Sequence, residues 1–385
     1  MTGNPEGSAV ISGIGISRVG RRLGVPALEL TTEAATAAIA DAGLATTDID
    51  GVATLGDTLL DEAATQLGVE PTFRRDGVGL GGLLSPVMSA VLAVADRRAR
   101  HVLSYRTVQM MGGAILPPAD VSPKPRGPRS GEVTSDVAPL LTYHAYSAAN
   151  WLAMHCQRHM HLYGTTKAQL GALAVNSRKN AALNPLAVYT TPMYLDDYLN
   201  ARSVSSPFGL FDCDVPVDGS IAFVVSHRDH TPDCPNLPVR VAAMGGASGA
   251  GGWIERPDYP KMASAEAASA MWSRTDLKPA DVDIAELYDG FTFLTIAWVE
   301  ALGLCEYGEG GPFVEDSDQI ALDGSLPLNT YGGQLSAGRM HGYWVLHEAC
   351  LQLRGAAGAR QVLQPEVAVV SAGGGPIAGC LLLTR

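Results

Sequence analysis

The chain has 385 residues, 46% hydrophobic and 17% charged, which is enough apolar material for two domains and too little charge for long disordered tails. A formal net charge of −12 with no Lys/Arg cluster excludes a nucleic-acid groove, because phosphate binding needs clustered cations. No apolar run reaches the roughly eighteen residues of a membrane span, and the opening MTGNPEGSAVISGIGIS has no basic region ahead of an apolar run, so a soluble cytoplasmic protein without a membrane partner is expected.

Ala9–Gly15 (AVISGIG) is β-branched and ends in glycines, which predicts a buried strand. Thr31–Gly43 predicts a helix capped by Thr31 or Thr32, and Ile49–Leu55 a second strand; strand, helix, strand with short turns predicts a βαβ unit and a parallel sheet. A glycine-rich turn at Gly77–Ser85 then leads through a helical pattern to a strand at His101–Tyr105. From about Met110 to Pro216 the composition changes. Pro117–Arg129 reads as an exposed loop, Thr142–Tyr163 and Lys167–Leu183 as helices, and Asn184–Leu199 as a Pro- and Tyr-containing excursion, together expected to cap a substrate. His155 and His159 stand i, i+4 on one helical face, but no acidic residue sits at ligand spacing, so no metal is assigned and half-buried contact histidines are expected. Six scattered cysteines without C-x-x-C spacing predict free thiols, most of them buried.

Ile221–Ser226 (IAFVVS) predicts a strand that closes the first half, and Arg228–Pro238 a proline-rich link. Val239–Met244 restarts a strand, and Gly245–Gly252 reads as a flexible turn, since it lacks the spacing of a phosphate-binding loop. Glu266–Asp283 can be laid on Glu33–Asp50 without a gap, with identities that include Glu33/Glu266, Ala34/Ala267, Leu44/Leu277, Asp48/Asp281 and Asp50/Asp283. GGLLS (Gly81–Ser85) is echoed in the same order by GGQLS (Gly332–Ser336), each followed by a helical pattern and a strand. Two matches in order predict an internal duplication, with halves at 1–227, carrying an insert at about 110–216, and 228–385.

Four stretches carry chemistry: Gly77–Ser85, ELYDGF (Glu286–Phe291), NTYGGQLSAGRMHGYWVLHEACLQL (Asn329–Leu353) and SAGGGP (Ser371–Pro376). Each adjoins a predicted strand, so all four can meet at one sheet edge, where α/β folds place their sites. The third runs from a polar glycine loop into a helix read as amphipathic through Val345, Leu346, Ala349 and Leu353.

The duplicated halves, ELYDGF, GGQLSAGRMHG and the closing GGG resemble the thiolase superfamily, in particular its sterol-carrier-protein or lipid-transfer-protein branch, over essentially the whole chain. The resemblance implies an α/β thiolase fold with two βαβ-type halves layered αβαβα. It also locates departures from a working thiolase. No cysteine occurs from Leu80 to Ala90, where the nucleophile belongs and Leu84 stands nearest. The GHP histidine has become Arg339, and the second catalytic cysteine has become Ser371. Ser85, just before Pro86 at a helix start, is accounted for by capping.

This pattern is similar to the actinobacterial steroid side-chain aldolases, which cleave a β-hydroxyacyl-CoA by retro-aldol chemistry. That resemblance implies Tyr288 and Tyr343 as the catalytic acid/base pair, in either order, with Asp289, Tyr331, Arg339 and His341 in support. Arg339 and His341 would lower the Tyr343 phenol, and Asp289 would orient a tyrosine or cap the following helix. The N–H groups of Gly373, Gly374 and Gly375 would form an oxyanion hole. It further implies an acyl-CoA substrate with CoA as its only cofactor-like group, a ketone and propionyl-CoA as products, a small OB-fold partner or hydratase-fused OB-fold domain, a homodimer within a hetero-oligomer, and no metal. Two other readings stay open at this point: a condensing acyltransferase with an unrecognised nucleophile, and a non-catalytic acyl-CoA or lipid carrier.

Overall fold

The computed structural model describes residues 4–111, 137–249, 252–256, 258–315 and 317–385. The predicted loop at Pro117–Arg129 lies outside them. The strands are β1 (Ala9–Ile16), β2 (Gly51–Thr54), β3 (Phe73–Asp76), β4 (His101–Gln109), β5 (Ser203–Ser205), β6 (Phe208–Gly209), β7 (Asp218–His227), β8 (Val239–Ser248), β9 (Ile284–Glu286), β10 (Val367–Gly373) and β11 (Ile377–Thr384). Nine of them form one mixed sheet in the order β3-β2-β4-β7-β1-β8-β11-β10-β9. Counted outward from its centre, β1, β7, β4 and β2 on one side stand opposite β8, β11, β10 and β9 on the other. The two groups join through only two residue pairs, Val10 with Arg240 and Ile11 with Val239.

The helices are α1 (Ala27–Asp41), α2 (Leu60–Leu67), α3 (Ser85–Ala95), α4 (Ala138–Thr142), α5 (Ala148–Tyr163), α6 (Lys167–Ala181), α7 (Leu195–Leu199), α8 (Ala263–Trp272), α9 (Thr292–Ala301), α10 (Gly310–Glu315), α11 (Ser317–Ile320) and α12 (Tyr343–Arg354). α1 covers β1, β4 and β7, and α8 covers β8 and β11. Alanine and glycine set these distances: a Cβ on Gly13 would stand 2.1 Å from the Ala38 carbonyl oxygen, and one on Gly245 2.0 Å from that of Ala267. α3 and α12 contact strands of both groups and are buried nearly all round, so they form the middle layer of an αβαβα stack.

The matched segments do matched work. Asp48 and Asp281 accept the N–H of Ala45 and Lys278 at 2.8 and 2.7 Å. Asp50 accepts the N–H groups of Arg100 and His101, each at 2.9 Å, and Asp283 those of Glu366 and Val367 at 2.8 and 2.9 Å. Each pair of carboxylates ties a tight turn to the next strand, which gives these positions the same role in both segments.

Several expectations are corrected. β1 pairs antiparallel with β7 and β8 rather than parallel with β2, whose parallel neighbours are β3 and β4. α1 begins at Ala27 after Pro26, and Thr31 is a buried hydroxyl bonded to Thr58 and Thr107 rather than a cap. The helix expected over Thr142–Tyr163 is interrupted between α4 and α5. Gly245–Ser248 extends β8 through pairing with β11 instead of turning. α12 is not amphipathic, since it is covered on both sides. His155 and His159 are fully rather than half buried: His155 bonds the Trp253 carbonyl at 2.6 Å, and His159 meets Glu300 of α9 at 3.0 Å, an acidic partner that comes from a distant helix. Cys156, Cys350 and Cys380 are buried, and all six thiols are free. No helix among the described residues is long and apolar enough to cross a membrane.

Candidate active site

A cavity of about 760 Å³ opens at the C-terminal ends of β9 and β10, within the range of ligand pockets of about 300–1,000 Å³. All four chemistry-bearing stretches reach it, through Val78, Gly82 and Leu83, through Tyr288 and Phe291, through Arg339 and His341, and through Gly373, Gly375 and Pro376. Val137, Ala148 and Leu152 add an apolar wall from α5 and the residues near α4, and Trp253 covers Gly375. No cysteine lines it among the described residues.

Both positions where a thiolase carries a nucleophile are structurally occupied. Leu84 is buried, and the Ser85 hydroxyl accepts the Gly79 N–H at 2.9 Å, so it ties down its own turn rather than capping α3. The Ser371 hydroxyl, also buried, accepts the Tyr288 N–H at 3.0 Å and fixes that tyrosine at the end of β9.

Of the two tyrosines, Tyr288 lines the cavity and is 9% exposed, whereas Tyr343 is fully buried at the start of α12 and packs on Phe223, with its hydroxyl 3.1 Å from the Ser104 hydroxyl. Burial pushes both phenols well above their ordinary range, and for Tyr288 the nearby Asp214 charge adds to this. Desolvation thereby outweighs any cation, and the expected lowering of Tyr343 is corrected. Arg339 is not available to it in any case, because its guanidinium holds both Asp214 oxygens at 3.1 and 3.2 Å.

Tyr331 lies off the cavity, stacked on Trp344 with ring centroids 5.3 Å apart. Asp289 hydrogen-bonds neither tyrosine and does not cap α9, the helix that follows it. Its carboxylate accepts the N–H of Gln334 at 2.8 Å and shapes the turn Gly333–Ala337, where Gly333 has φ 63° and a Cβ would stand 1.9 Å from Asp289 Oδ2. Burial raises its pKa to about 7. Of the three glycines, Gly374 is not a free donor, since its N–H goes to the Ile377 carbonyl at 3.2 Å, while Gly373 and Gly375 face the cavity.

Two residues escaped the sequence reading. Asp214 is the one carboxylate on the cavity wall among the described residues, and burial raises its pKa to about 6 despite the opposing Arg339 charge. Arg106, on β4 two residues beyond Ser104 and so on the same face, donates from Nη2 to His341 Nδ1 at 2.5 Å. An arginine in the middle of a strand was the available signal for Arg106, and the spacing Asp212, Asp214, Asp218 for the other. Asp212 and Asp218 prove structural. Asp212 binds Lys167, Tyr198 and Thr292, and Asp218 accepts the Leu23 and Met111 N–H groups.

A family model described as thiolase C-terminal domain-like matches residues 245–381. A steroid side-chain-cleaving aldolase of Thermomonospora curvata is 33% identical, with 98% of each chain covered. A 17-hydroxy-3-oxo-4-pregnene-20-carboxyl-CoA lyase of Mycobacterium tuberculosis is 35% identical over 98% of this chain and 99% of its own. Among solved structures, an Ltp2-ChsH2(DUF35) aldolase superposes with a TM-score of 0.90 at 32% identity, covering 98% of both chains. A monomeric SCP2-thiolase-like protein from Mycobacterium smegmatis, 19% identical, shares the fold with a TM-score of 0.74 over 100% of this chain and 78% of its own. Full-length similarity at this level, on a thiolase scaffold without either cysteine, leads to one conclusion: the chain belongs to the thiolase-like family that includes the steroid side-chain-cleaving aldolases.

Proposed function

We propose that this protein cleaves a β-hydroxyacyl-CoA by retro-aldol chemistry, releasing a ketone and a short acyl-CoA without a covalent acyl-enzyme. The observation that carries the reading is the spent state of Ser85 and Ser371 beside a cavity whose polar wall offers proton donors and charge instead of a nucleophile. Breaking the Cα–Cβ bond needs a base for the hydroxyl proton, a stabiliser for the thioester enolate and an acid for its α-carbon. Asp214, with a pKa of about 6, is a base at neutral pH. Tyr288, a neutral phenol on the same wall, is the acid, while Tyr343 stands behind the wall with its hydroxyl on Ser104. Phenols raised by burial are poor bases and competent donors, so the division of labour between the tyrosines expected from the sequence becomes one of position rather than of base against acid.

Similarity to the aldolase and the lyase supports a steroid 17-hydroxy acyl-CoA as substrate, with a 17-ketone and propionyl-CoA as products. Similarity to the Ltp2-ChsH2(DUF35) aldolase supports an OB-fold partner. A homodimeric core and a cytoplasmic location are part of the same proposal. The test is co-expression with the DUF35-type partner and assay of 17-hydroxy steroid acyl-CoA thioesters. Stoichiometric ketone and propionyl-CoA are expected; tight binding without turnover would instead make the protein a carrier.

A further inference from the structure

His341 stands on the cavity wall in a conformation that needs a reason. It has φ 51° and is followed by Gly342 at φ 86°, two consecutive left-handed residues just before α12. The pair is fixed from two sides. Gln334 Oε1 accepts the His341 N–H at 3.2 Å, and a Cβ on Gly342 would stand 2.5 Å from that of Ala372. Behind the ring, Arg106 donates to Nδ1 at 2.5 Å. A guanidinium carries only donors and keeps its proton, so Nδ1 must be the acceptor and Nε2 must carry the ring hydrogen. Nε2 has no partner among the described residues.

Arg106 itself is buried and has no carboxylate within ion-pair distance among the described residues, so its charge is directed at the imidazole. The other charge acting on the ring is that of Arg339, which is paired with Asp214; Arg106 in turn lies in the field of Asp57, Tyr343 and Tyr288. Burial first, then Arg106 and Arg339, hold His341 well below its ordinary pKa, which keeps the ring neutral.

We infer that His341 is a catalytic residue whose Nε2–H donates to the thioester oxygen as the Cα–Cβ bond breaks, and that Arg106 is the positioning residue that fixes its tautomer. This rests on the retro-aldol reading. In the step, the hydroxyl proton passes to Asp214 and the O–H electron pair becomes the second bond of the ketone carbonyl. The Cα–Cβ pair becomes an enolate whose oxygen charge His341 binds, and a proton returned to the α-carbon completes the short acyl-CoA. Nothing is oxidised or reduced, and no bond to protein forms. A neutral imidazole suits the task because it stabilises the oxygen without handing over its proton.

The first test needs no substrate: ¹⁵N NMR of the full chain labelled at histidine. A neutral Nε2–H tautomer for His341 at about pH 7 is expected, and an Nδ1–H tautomer overturns the inference. In Arg106→Gln the ring should titrate at a higher pH than in the wild type, still below its ordinary range because burial and Arg339 remain; an unmoved titration overturns the positioning role. In the cleavage assay, His341→Ala should lower kcat by on the order of 10²–10³ with KM little changed, and His341→Gln, which keeps a side-chain N–H, should recover part of that loss. Wild-type protein that cleaves no hydroxyacyl-CoA overturns the retro-aldol reading and the catalytic role with it. A cleaving wild type with undiminished His341→Ala overturns the role of His341 alone.

Discussion

Tyr288 and Tyr343 differ in access, not in chemistry, and that difference can be measured. Tyr288→Phe removes the hydroxyl of a cavity-lining residue and should lower kcat by at least about 10², with melting temperature nearly unchanged. Tyr343→Phe loses only the buried bond to Ser104, so it should cost about 1 kcal/mol of stability and less activity than Tyr288→Phe. The reverse order of kcat losses would move the acid to Tyr343. Asp214 predicts a pH dependence whose sign follows from its role. A base must be ionised, so kcat/KM should fall as pH drops below about 6, and Asp214→Asn should remove both that limb and most of the activity. These roles were only partly legible in the sequence. Tyr288, Arg339 and His341 announced themselves because they sit in glycine-punctuated motifs. Asp214 and Arg106 did not, because one of three closely spaced acids in a connection and a lone arginine in a strand acquire meaning only from the partners that folding brings up.

The turn Gly333–Ala337 is the element on which the site's geometry depends, and a buried carboxylate holds it. Asp289 is protonated more readily in the folded chain than in the unfolded one, where its pKa is about 3.9. The folded state therefore binds more protons between about pH 4 and its raised pKa of about 7. The stability contribution of this group is complete below pH 4 and is lost as pH rises through 7. Asp289→Asn, which keeps an acceptor for the Gln334 N–H, should flatten the fall in melting temperature across that window; an unchanged slope would assign the titration elsewhere. Glycine spacing made the loop legible but not its anchor, because Asp289 reads equally well as the cap of α9. The same limit applies to β1: its composition marked it as a strand, but nothing local says that β7, more than two hundred residues away, is its neighbour, so the parallel βαβ reading failed there while the β2–β4 pairing followed it.

Residues from Val78 to Ile377 line one cavity, at a sheet whose strand order from β1 outward mirrors that from β8 outward. We propose that residues 1–227 and 228–385 are two like halves. The shared roles of Asp48 and Asp281, and of Asp50 and Asp283, support this. The register of two alanine-rich helices in the sequence points to it, since close helix–strand packing admits little besides Ala and Gly. What evolved on this scaffold, on the present account, is a thiolase-shaped cavity that breaks a carbon–carbon bond with proton donors and charge where a thiolase would use cysteine. Intact-protein mass spectrometry during a single turnover, with ketone measured in the same quenched samples, tests this most directly. The account predicts ketone formed in step with substrate loss and a protein mass that never changes. A transient adduct of acyl mass, forming and decaying at the rate of turnover, would contradict it.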